Sequence, residues 1–336
     1  MPVEHGGDIG RAAARYGIPR EQWLDLSTGI NPRGWPVKGL PPECWRRLPE
    51  AGDGLEKAAR ACYAASHLLP AAGTQAVIQA LPGLRPPGRV AVIHPGYAEH
   101  GRAWARLGHH VEPVAAERLA AAVAGADVVV LAHPNNPTGT RFPPELLLDW
   151  HRRLAARGGW LVVDEAFMDP TPEQSLCPHA SAPGLVVLRS VGKFFGLAGA
   201  RVGFACAHPA LLARLEEALG PWPVSTPARR VAAAALAHRR WQAAARRWLH
   251  AGAARLHALL SRHGLAPAGG CALFQWVPTP RAGEIHEALA RRGILTRLFT
   301  RPPGLRLGLP GSEYDWRRLE TALRQPDLRP LLETAS

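Results

Sequence analysis

Residues 190–207 read SVGKFFGLAGARVGFACA, a run of glycine and apolar residues that contains a single lysine, Lys193. Ser190 lies three positions before this lysine, and Arg201 lies eight positions after it. A lysine is ordinarily a solvated surface charge, but apolar surroundings disfavour the ammonium form and make the neutral amine available. Because the neutral amine is a nucleophile, Lys193 is a candidate for Schiff-base formation with a carbonyl compound.

Short apolar runs rich in valine precede this stretch and overlap it. They are continuous rather than alternating, which is typical of strands buried on both faces of a parallel sheet. Helix-like segments at 98–108 and 143–158 separate several of them. Strands that alternate with helices predict an α/β fold whose large domain holds a mainly parallel, doubly wound sheet. The runs are residues 89–95, 126–134, 159–167, 184–190 and 201–207.

The chain changes character after Gly203, where Ala/Leu/Arg stretches at 208–220 and about 228–263 predict helices. Short apolar segments follow them and predict strands, so this part of the chain reads as a smaller α+β domain. The strand candidates are residues 272–277, 293–299 and 304–310.

The first 44 residues are rich in glycine and proline and contain no strong strand signal. We expect them to form an N-terminal arm or a part of the small domain. The predicted division is therefore an arm at 1–44, a large domain at 45–225 and a small domain at 226–336.

The 336-residue chain carries a formal net charge of +13, which raises the question of a nucleic-acid or membrane partner. The arginines fall in scattered pairs on helix-like stretches, and no compact basic run is interleaved with aromatic residues. We therefore expect solvated helix faces and no nucleic-acid partner. A small anionic substrate is the expected use of the positive charge.

The five cysteines are far apart and form no CxxC pair, so we expect neither a metal site nor a disulfide framework. The first 17 residues contain no apolar segment, and no run approaches the ~18 apolar residues of a membrane span. These features predict a cytoplasmic protein without a membrane partner.

Polar residues stand where the predicted strands end. Tyr97 follows the first apolar run, Asn136 follows the second, Asp164 closes the third, and Lys193 follows the fourth. In doubly wound sheets, ligands bind outside the carboxyl ends of the strands. The sequence therefore predicts that these four residues belong to one binding site.

A Schiff base between Lys193 and pyridoxal phosphate would also need a phosphate site and a carboxylate beside the pyridine nitrogen. Asp164 suits the second requirement, although an aspartate at this place can equally cap a helix or stabilise a turn. Hydroxyl, guanidinium and backbone amide groups suit the first requirement. The phosphate candidates are Ser190, Arg201 and the amides of Gly73, Thr74 and Gln75.

Three motifs, NNPTG (135–139), DEAF (164–167) and SVGKFFGLAGARVGF (190–204), resemble in this order the class I/II aminotransferases. This resemblance covers nearly the whole chain and implies a fold-type I fold, pyridoxal phosphate as cofactor and a homodimer. It implies that Lys193 forms the Schiff base and that Asp164 pairs with the pyridine nitrogen.

The same resemblance assigns the remaining cofactor and substrate contacts. Asn136 is implied to donate to the phenolic oxygen of the cofactor, and Tyr97 is implied to stack on the ring. Arg306, in GLRLGL, matches the arginine that binds the substrate α-carboxylate. Ser190, Arg201 and the amides around Thr74 and Gln75 are implied at the phosphate.

Within this family, HGGDIGRAAARYG (5–17), WLDLSTGINPRG (23–34) and PGYAEHGRAW (95–104) resemble one branch. That branch decarboxylates L-threonine O-3-phosphate to (R)-1-amino-2-propanol O-2-phosphate in cobalamin biosynthesis. A small phosphorylated amino acid is the implied substrate, although His5-Gly6-Gly7 alone would read as a flexible terminus. The implied substrate residues are His5, Asn31, Arg297 and Arg306.

Two positions depart from the pattern of the family. Leu48-Pro49 stands where many relatives have a Tyr-Pro pair whose hydroxyl reaches the cofactor phosphate of the neighbouring subunit. Phe167 stands where aminotransferases often have a tyrosine that bonds the phenolic oxygen. We expect both hydrogen bonds to be absent or replaced.

Two other functions compete with decarboxylation. A histidinol-phosphate aminotransferase shares the implied fold, cofactor site and phosphorylated substrate, and the sequence leaves it open. A non-catalytic regulator on this fold would carry a DNA-binding module ahead of it, and we expect the about 70 residues before Gly73 to be too few.

Overall fold

The apolar runs of the sequence form the centre of a mixed sheet. The computed structural model describes residues 6–328 and 330–331. Its strands are β1 (Leu24–Asp25), β2 (Leu69–Ala71), β3 (Arg89–Ile93), β4 (His110–Val114), β5 (Val128–Ala132), β6 (Trp160–Asp164), β7 (Leu185–Ser190), β8 (Gly203–Ala207), β9 (Gly269–Cys271), β10 (Phe274–Pro278), β11 (Ile294–Leu295), β12 (Arg297–Thr300) and β13 (Pro303–Gly308). Its α-helices are α1 (Ile9–Tyr16), α2 (Leu55–Tyr63), α3 (Thr74–Ala80), α4 (Ala98–Arg106), α5 (Leu119–Ala122), α6 (Pro144–Ala155), α7 (Pro209–Leu219), α8 (Thr226–Ala237), α9 (Arg239–Arg262), α10 (Ala282–Ala290) and α11 (Glu313–Leu323).

The main sheet has the strand order β2-β8-β7-β6-β5-β3-β4. Strands β4, β3, β5, β6 and β7 run parallel, while β8 is antiparallel to β7 and β2 is antiparallel to β8. The predicted α/β fold with a mainly parallel sheet is therefore confirmed. The five valine-rich runs become β3, β5, β6, β7 and β8. The sequence did not predict β4, because most of its residues are exposed and it lacks an apolar run.

Valine side chains at the centre of the sheet explain the continuous apolar runs. All five residues of β5 are buried, and Val162 and Val186 on the next two strands are at most 1% exposed. Val128 and Val130 of β5 form one cluster with Val162, Val186, Trp104 on α4 and Leu215 on α7. Helices cover the sheet, so its strands need apolar residues at successive positions.

The chain folds into two compact units. The larger unit comprises residues 34–136 and 140–244, and the smaller comprises the described residues up to 33, residues 137–139 and those from 245 onward. The smaller unit holds the antiparallel sheet β12-β13-β10-β9 and the parallel pair β1-β11, together with helices. The domain boundaries predicted from the sequence, at residues 44 and 225, differ from the limits of these two units. That division into domains stays a prediction.

Two predicted elements are interrupted in the structure. The helical run at 228–263 is divided into α8 and α9 at His238, whose backbone leaves helical geometry. The strand candidate at 293–299 is divided at Thr296, because β11 pairs with β1 whereas β12 pairs with β13. Neither division has a proline or glycine signal in the sequence.

None of the helices in residues 6–328 and 330–331 has the length and apolar character that crossing a membrane requires.

A buried arginine joins the carboxyl ends of two central strands of the larger unit. Arg189, the residue before the end of β7, lies 2.7 Å from Glu165 and 2.7 Å from Asp169. All three side chains are at most 2% exposed. The guanidinium also lies 4.4 Å from the ring centroid of Tyr63. Ion pairs at such depth hold the end of β7 and the segment after β6 together.

His133, which follows β5, is fully buried. Its Nε2 accepts a hydrogen bond from the Phe142 backbone amide at 3.1 Å. Burial, with a smaller contribution from the positive charge of Arg141, lowers the pKa of His133 to about 4. The folded protein therefore keeps this imidazole neutral in weak acid, where the unfolded chain protonates it.

We predict that replacing His133 by glutamine reduces the loss of stability in acid. Between pH 7.5 and pH 5 the unfolded chain gains the His133 proton and the folded chain does not, so folding is disfavoured as the pH falls. The free energy of unfolding should fall by about 2 kcal/mol less in His133→Gln than in the wild type. Chemical denaturation at both pH values tests this, and equal losses in both proteins would contradict it.

Candidate active site

The ends of the parallel strands of the larger unit surround a cavity of about 170 Å³. It lies where the sequence predicted the site, and polar residues from several strand ends line it. The lining residues are Gly73, Thr74, Gln75, Tyr97, Ala132, Asn136, Asp164, Ala166, Phe167, Ser190, Gly192, Lys193, Ala198 and Arg201. Every predicted cofactor-binding residue is among them, whereas the role of each residue stays a prediction.

Lys193 rises from a loop that is anchored by aromatic packing. Phe194 and Phe195 are fully buried, and their rings lie 5.5 Å and 5.7 Å from the ring of Trp241 on α9. The half-buried Lys193 amine lies 5.4 Å from the ring centroid of Phe167. The loop thus fixes the lysine between apolar side chains and the cavity.

Asp164 ends β6 and is only 6% exposed. One carboxylate oxygen accepts from the Ala166 backbone amide at 3.0 Å, a local turn contact of the kind that the sequence left open. The other oxygen lies 3.0 Å from Nε2 of His100, which is also buried. The carboxylate therefore lines the cavity with a fixed orientation.

Sequence reasoning missed His100. It lies on α4, three residues after Tyr97, a spacing that brings both side chains to one side of a helix. This spacing from Tyr97, which stands at a predicted strand end, was the feature of the sequence that could have indicated His100 as a site residue. The imidazole contacts the carboxylate of Asp164, the residue that was predicted to pair with the pyridine nitrogen.

The phosphate candidates converge at the start of α3. A Cβ atom at Gly73 would lie 2.5 Å from Nη2 of Arg201, and one at Gly203 would lie 2.5 Å from the Thr74 amide nitrogen. Both glycines therefore allow close approach of these groups. Ser190 contributes a hydroxyl, which accepts from the Gly192 amide at 3.0 Å. Hydroxyl, guanidinium and amide donors suit a phosphate group.

Arg201 adopts left-handed backbone geometry with a φ of 53°. Such geometry costs a residue other than glycine about 1–3 kcal/mol and is concentrated at functional sites. The side chain is exposed, and its Nη1 donates to the Ala198 carbonyl at 3.2 Å. The donor set and the tight approach at Gly73 fit the phosphate group of pyridoxal phosphate.

Tyr97 precedes α4 and is half-buried in the wall of the cavity. Its hydroxyl donates to Oε1 of Gln75 at 3.1 Å, so Gln75 offers a side-chain contact beyond the predicted backbone amide. Burial, followed by the charges of Asp164 and Glu99, raises the pKa of Tyr97 to about 12. The phenol is therefore neutral. Asn136 also lines the cavity.

Three of the four predicted substrate residues, Asn31, Arg297 and Arg306, belong to the smaller unit. Arg297 on β12 and Arg306 on β13 are directly opposite each other in the antiparallel pair. Arg306 is 5% exposed and donates to the Ser27 carbonyl. Burial, followed by the charge of Arg297, lowers the pKa of Arg306 to about 10, so it remains a cation at neutral pH.

The other two predicted substrate residues differ in what the structure describes. Asn31 is 2% exposed, and its side-chain oxygen accepts from the Arg33 amide at 2.9 Å. His5 lies outside the described residues. At the departures from the family pattern, Leu48 is 61% exposed and Phe167 is buried.

Comparisons with known proteins agree with this geometry. The profile described as aminotransferase class I and II matches residues 55–323. A threonine-phosphate decarboxylase of Pseudomonas aeruginosa is 54% identical over 321 residues, covering 96% of this chain and 97% of that protein. A threonine-phosphate decarboxylase of Sinorhizobium sp is 44% identical over 334 residues, covering 97% and 99%. The crystal structure of histidinol-phosphate aminotransferase from Sinorhizobium meliloti in complex with pyridoxal-5'-phosphate shares the fold, with a TM-score of 0.85 at 20% identity over 100% of this chain and 96% of that one. The chain belongs to the aminotransferase class I and II family.

Proposed function

We propose that the chain is a pyridoxal-phosphate enzyme that decarboxylates L-threonine O-3-phosphate to (R)-1-amino-2-propanol O-2-phosphate and CO2. The observation that carries the proposal is one cavity lined by an amine, a buried carboxylate and a guanidinium: Lys193, Asp164 and Arg201. The relatives that are 54% and 44% identical over nearly the whole chain are named threonine-phosphate decarboxylase, which supports the substrate and the reaction.

Pyridoxal phosphate supplies a protonated ring that takes up the electron pair left when a bond to the substrate α-carbon breaks. We propose that the Lys193 amine binds the cofactor aldehyde and that Asp164 holds the proton on the pyridine nitrogen. Tyr97 would pack on the ring, and Asn136 would donate to the phenolic oxygen. Ser190, Arg201 and the amides of Gly73, Thr74 and Gln75 would bind the phosphate.

The proposed substrate contacts come from Asn31, Arg297 and Arg306 of the smaller unit and from His5. Arg306 binds the α-carboxylate as a bidentate fork, and Arg297 with His5 binds the substrate phosphate, while Asn31 adds a polar contact. Anchoring the two charged ends of the substrate fixes which bond at the α-carbon is oriented for cleavage. Retention of the carboxylate would instead lead to transamination, so this orientation decides between the two reactions.

Histidinol-phosphate aminotransferase is the alternative function, and a direct assay separates the two. We expect CO2 release from L-threonine O-3-phosphate without added 2-oxoglutarate. We expect no glutamate formation from histidinol phosphate plus 2-oxoglutarate above the background of a Lys193→Ala control. Glutamate formation without CO2 release would refute the decarboxylase proposal.

We further propose a cytoplasmic homodimer that acts in cobalamin biosynthesis. The five cysteines are thiols rather than disulfides, and thiols persist in a reducing compartment. Apolar side chains exposed on the larger unit support self-association. Trp45, Leu48 and Trp222 are 70%, 61% and 57% exposed. They belong to neighbouring segments, because the Thr226 hydroxyl donates to the Arg47 carbonyl at 3.0 Å.

The Lys193 assignment predicts a specific covalent adduct. The purified protein should be yellow, and borohydride reduction should leave the cofactor attached to the peptide that contains Lys193. Peptide mass spectrometry measures this, and Lys193→Ala should give no adduct. An adduct of equal yield in the variant would refute the assignment.

Arg297 and Arg306 of the smaller unit should bind different groups of the substrate. Arg297→Ala should raise KM for L-threonine O-3-phosphate at least tenfold, equivalent to about 1.4 kcal/mol. It should weaken inhibition by O-phosphoethanolamine, which has the phosphate and no carboxylate. Arg306→Ala should raise KM as well but leave that inhibition within twofold. Arg301→Ala, at an exposed position between β12 and β13, is the matched control. Equal losses of inhibition in both variants would contradict the division of roles.

The homodimer proposal predicts that a charge in the exposed apolar surface dissociates the protein. Trp222→Glu combined with Leu48→Glu should shift the sedimentation coefficient from that of a dimer to that of a monomer, since burying unpaired carboxylates is unfavourable. Tyr314→Glu, at a residue that is 72% exposed on α11, should leave it unchanged. A dimer that survives the double substitution would place the interface elsewhere.

A further inference from the structure

A chain of hydrogen bonds leads from the cavity wall to a carboxylate that the proposed reaction does not use. The Tyr97 hydroxyl donates to Oε1 of Gln75 at 3.1 Å. Nε2 of Gln75 donates in turn to Oε2 of Glu99 at 3.2 Å. The three residues lie at the starts of α3 and α4 within the larger unit.

The charge of Glu99 determines the direction of every bond in this chain. An ionised carboxylate can only accept, so the amide nitrogen of Gln75 has to face Glu99. The amide oxygen of Gln75 then faces Tyr97, whose hydroxyl has to donate to it. Reversal of the Gln75 amide would bring its oxygen against the carboxylate. Glu99 thus selects one arrangement of the Gln75 side chain and of the Tyr97 hydroxyl.

Further contacts hold Glu99 itself. Its side chain is only 16% exposed, and Nε2 of Gln79 donates to the same Oε2 at 3.4 Å. Arg102, one turn along α4, approaches Oε1 at 3.7 Å from a position that is half exposed. The carboxylate therefore has contacts on both oxygens at the end of the chain of hydrogen bonds.

We infer that Glu99, acting through the side chain of Gln75, is a positioning residue that holds the Tyr97 ring against the cofactor ring. Gln75 then has two contacts, with its amide at the cofactor phosphate and its side chain at Tyr97. The inference rests on the proposed function, since it takes Tyr97 as the residue that packs on the cofactor. It adds Glu99 and a second role for Gln75, and both act on the reaction only through Tyr97.

A double-mutant cycle on the full-length protein tests the inference. Glu99→Ala should raise the dissociation constant of pyridoxal phosphate about fivefold, measured by absorbance titration of the apoprotein. The visible circular dichroism of the bound cofactor should weaken in the same variant, because the ring beside it is less ordered. Tyr97→Phe keeps the ring and removes the hydroxyl, so adding Glu99→Ala to it should change the dissociation constant less than twofold.

Matched variants separate positioning from a general effect on α4. Gln75→Leu should resemble Glu99→Ala, and the two together should equal either alone. Arg102→Met removes the half-exposed ion pair at 3.7 Å and should stay within twofold of the wild type. A fivefold effect of Glu99→Ala that persists beside Tyr97→Phe would show a merely structural role and overturn the inference.

The same titration distinguishes failure of the inference from failure of the proposed function. If the wild type binds pyridoxal phosphate and Glu99→Ala does not weaken binding, the positioning role is wrong and the proposed function stands. If the wild type does not bind pyridoxal phosphate at all, both are wrong.

Discussion

The buried contact of Arg189 with Glu165 and Asp169 fixes the strand ends on which the candidate site depends. Arg189 precedes Ser190 on β7, and Glu165 follows Asp164 at the end of β6, so these two charged residues are chain neighbours of site residues. Removal of one member would leave a buried charge, at a cost of about 3–5 kcal/mol. Because successive side chains on a strand point to opposite faces, anchoring Arg189 on one face directs Ser190 to the other. The ion pairs thus hold the backbone that carries the proposed phosphate and pyridine contacts.

Residues 97–100, at the start of α4, make three different interactions. Tyr97 lies in the cavity wall, Glu99 accepts from Gln75, and His100 contacts the Asp164 carboxylate at 3.0 Å. The helix packs on the sheet through Trp104, which is 1% exposed. The packing of α4 therefore sets the positions of the Tyr97 ring, of the Glu99 side chain and of His100, which contacts the Asp164 carboxylate. A shift of α4 would change all three.

The sequence predicted the parts of the structure that depend on local pattern. Continuous valine runs identified β3 and β5 to β8, and their ends identified Asp164 and Lys193, because burial on both faces and strand termination leave a signal in neighbouring residues. The contact between His100 and Asp164 spans 64 positions, and the pairing of β1 with β11 joins two-residue strands far apart in the chain. Such pairings depend on tertiary packing, so the local pattern could place His100 on the same side as Tyr97 but could not predict its contact with Asp164 or the pairing of β1 with β11.

Electrostatics in the smaller unit favour an anionic ligand independently of any resemblance. Arg297 and Arg306 are opposite each other on adjacent strands, and the positive charge of Arg297 contributes to the lowered pKa of Arg306. Each guanidinium is still protonated at neutral pH, so the two cations repel and Arg306 also bears the cost of burial. An anion bound beside them would reduce both the repulsion between the two cations and the cost of burying Arg306. A ligand with separate carboxylate and phosphate groups would place one anion beside each arginine, whereas a substrate with one group would place an anion beside only one of them, which is a physical reason for the proposed preference for a phosphorylated amino acid.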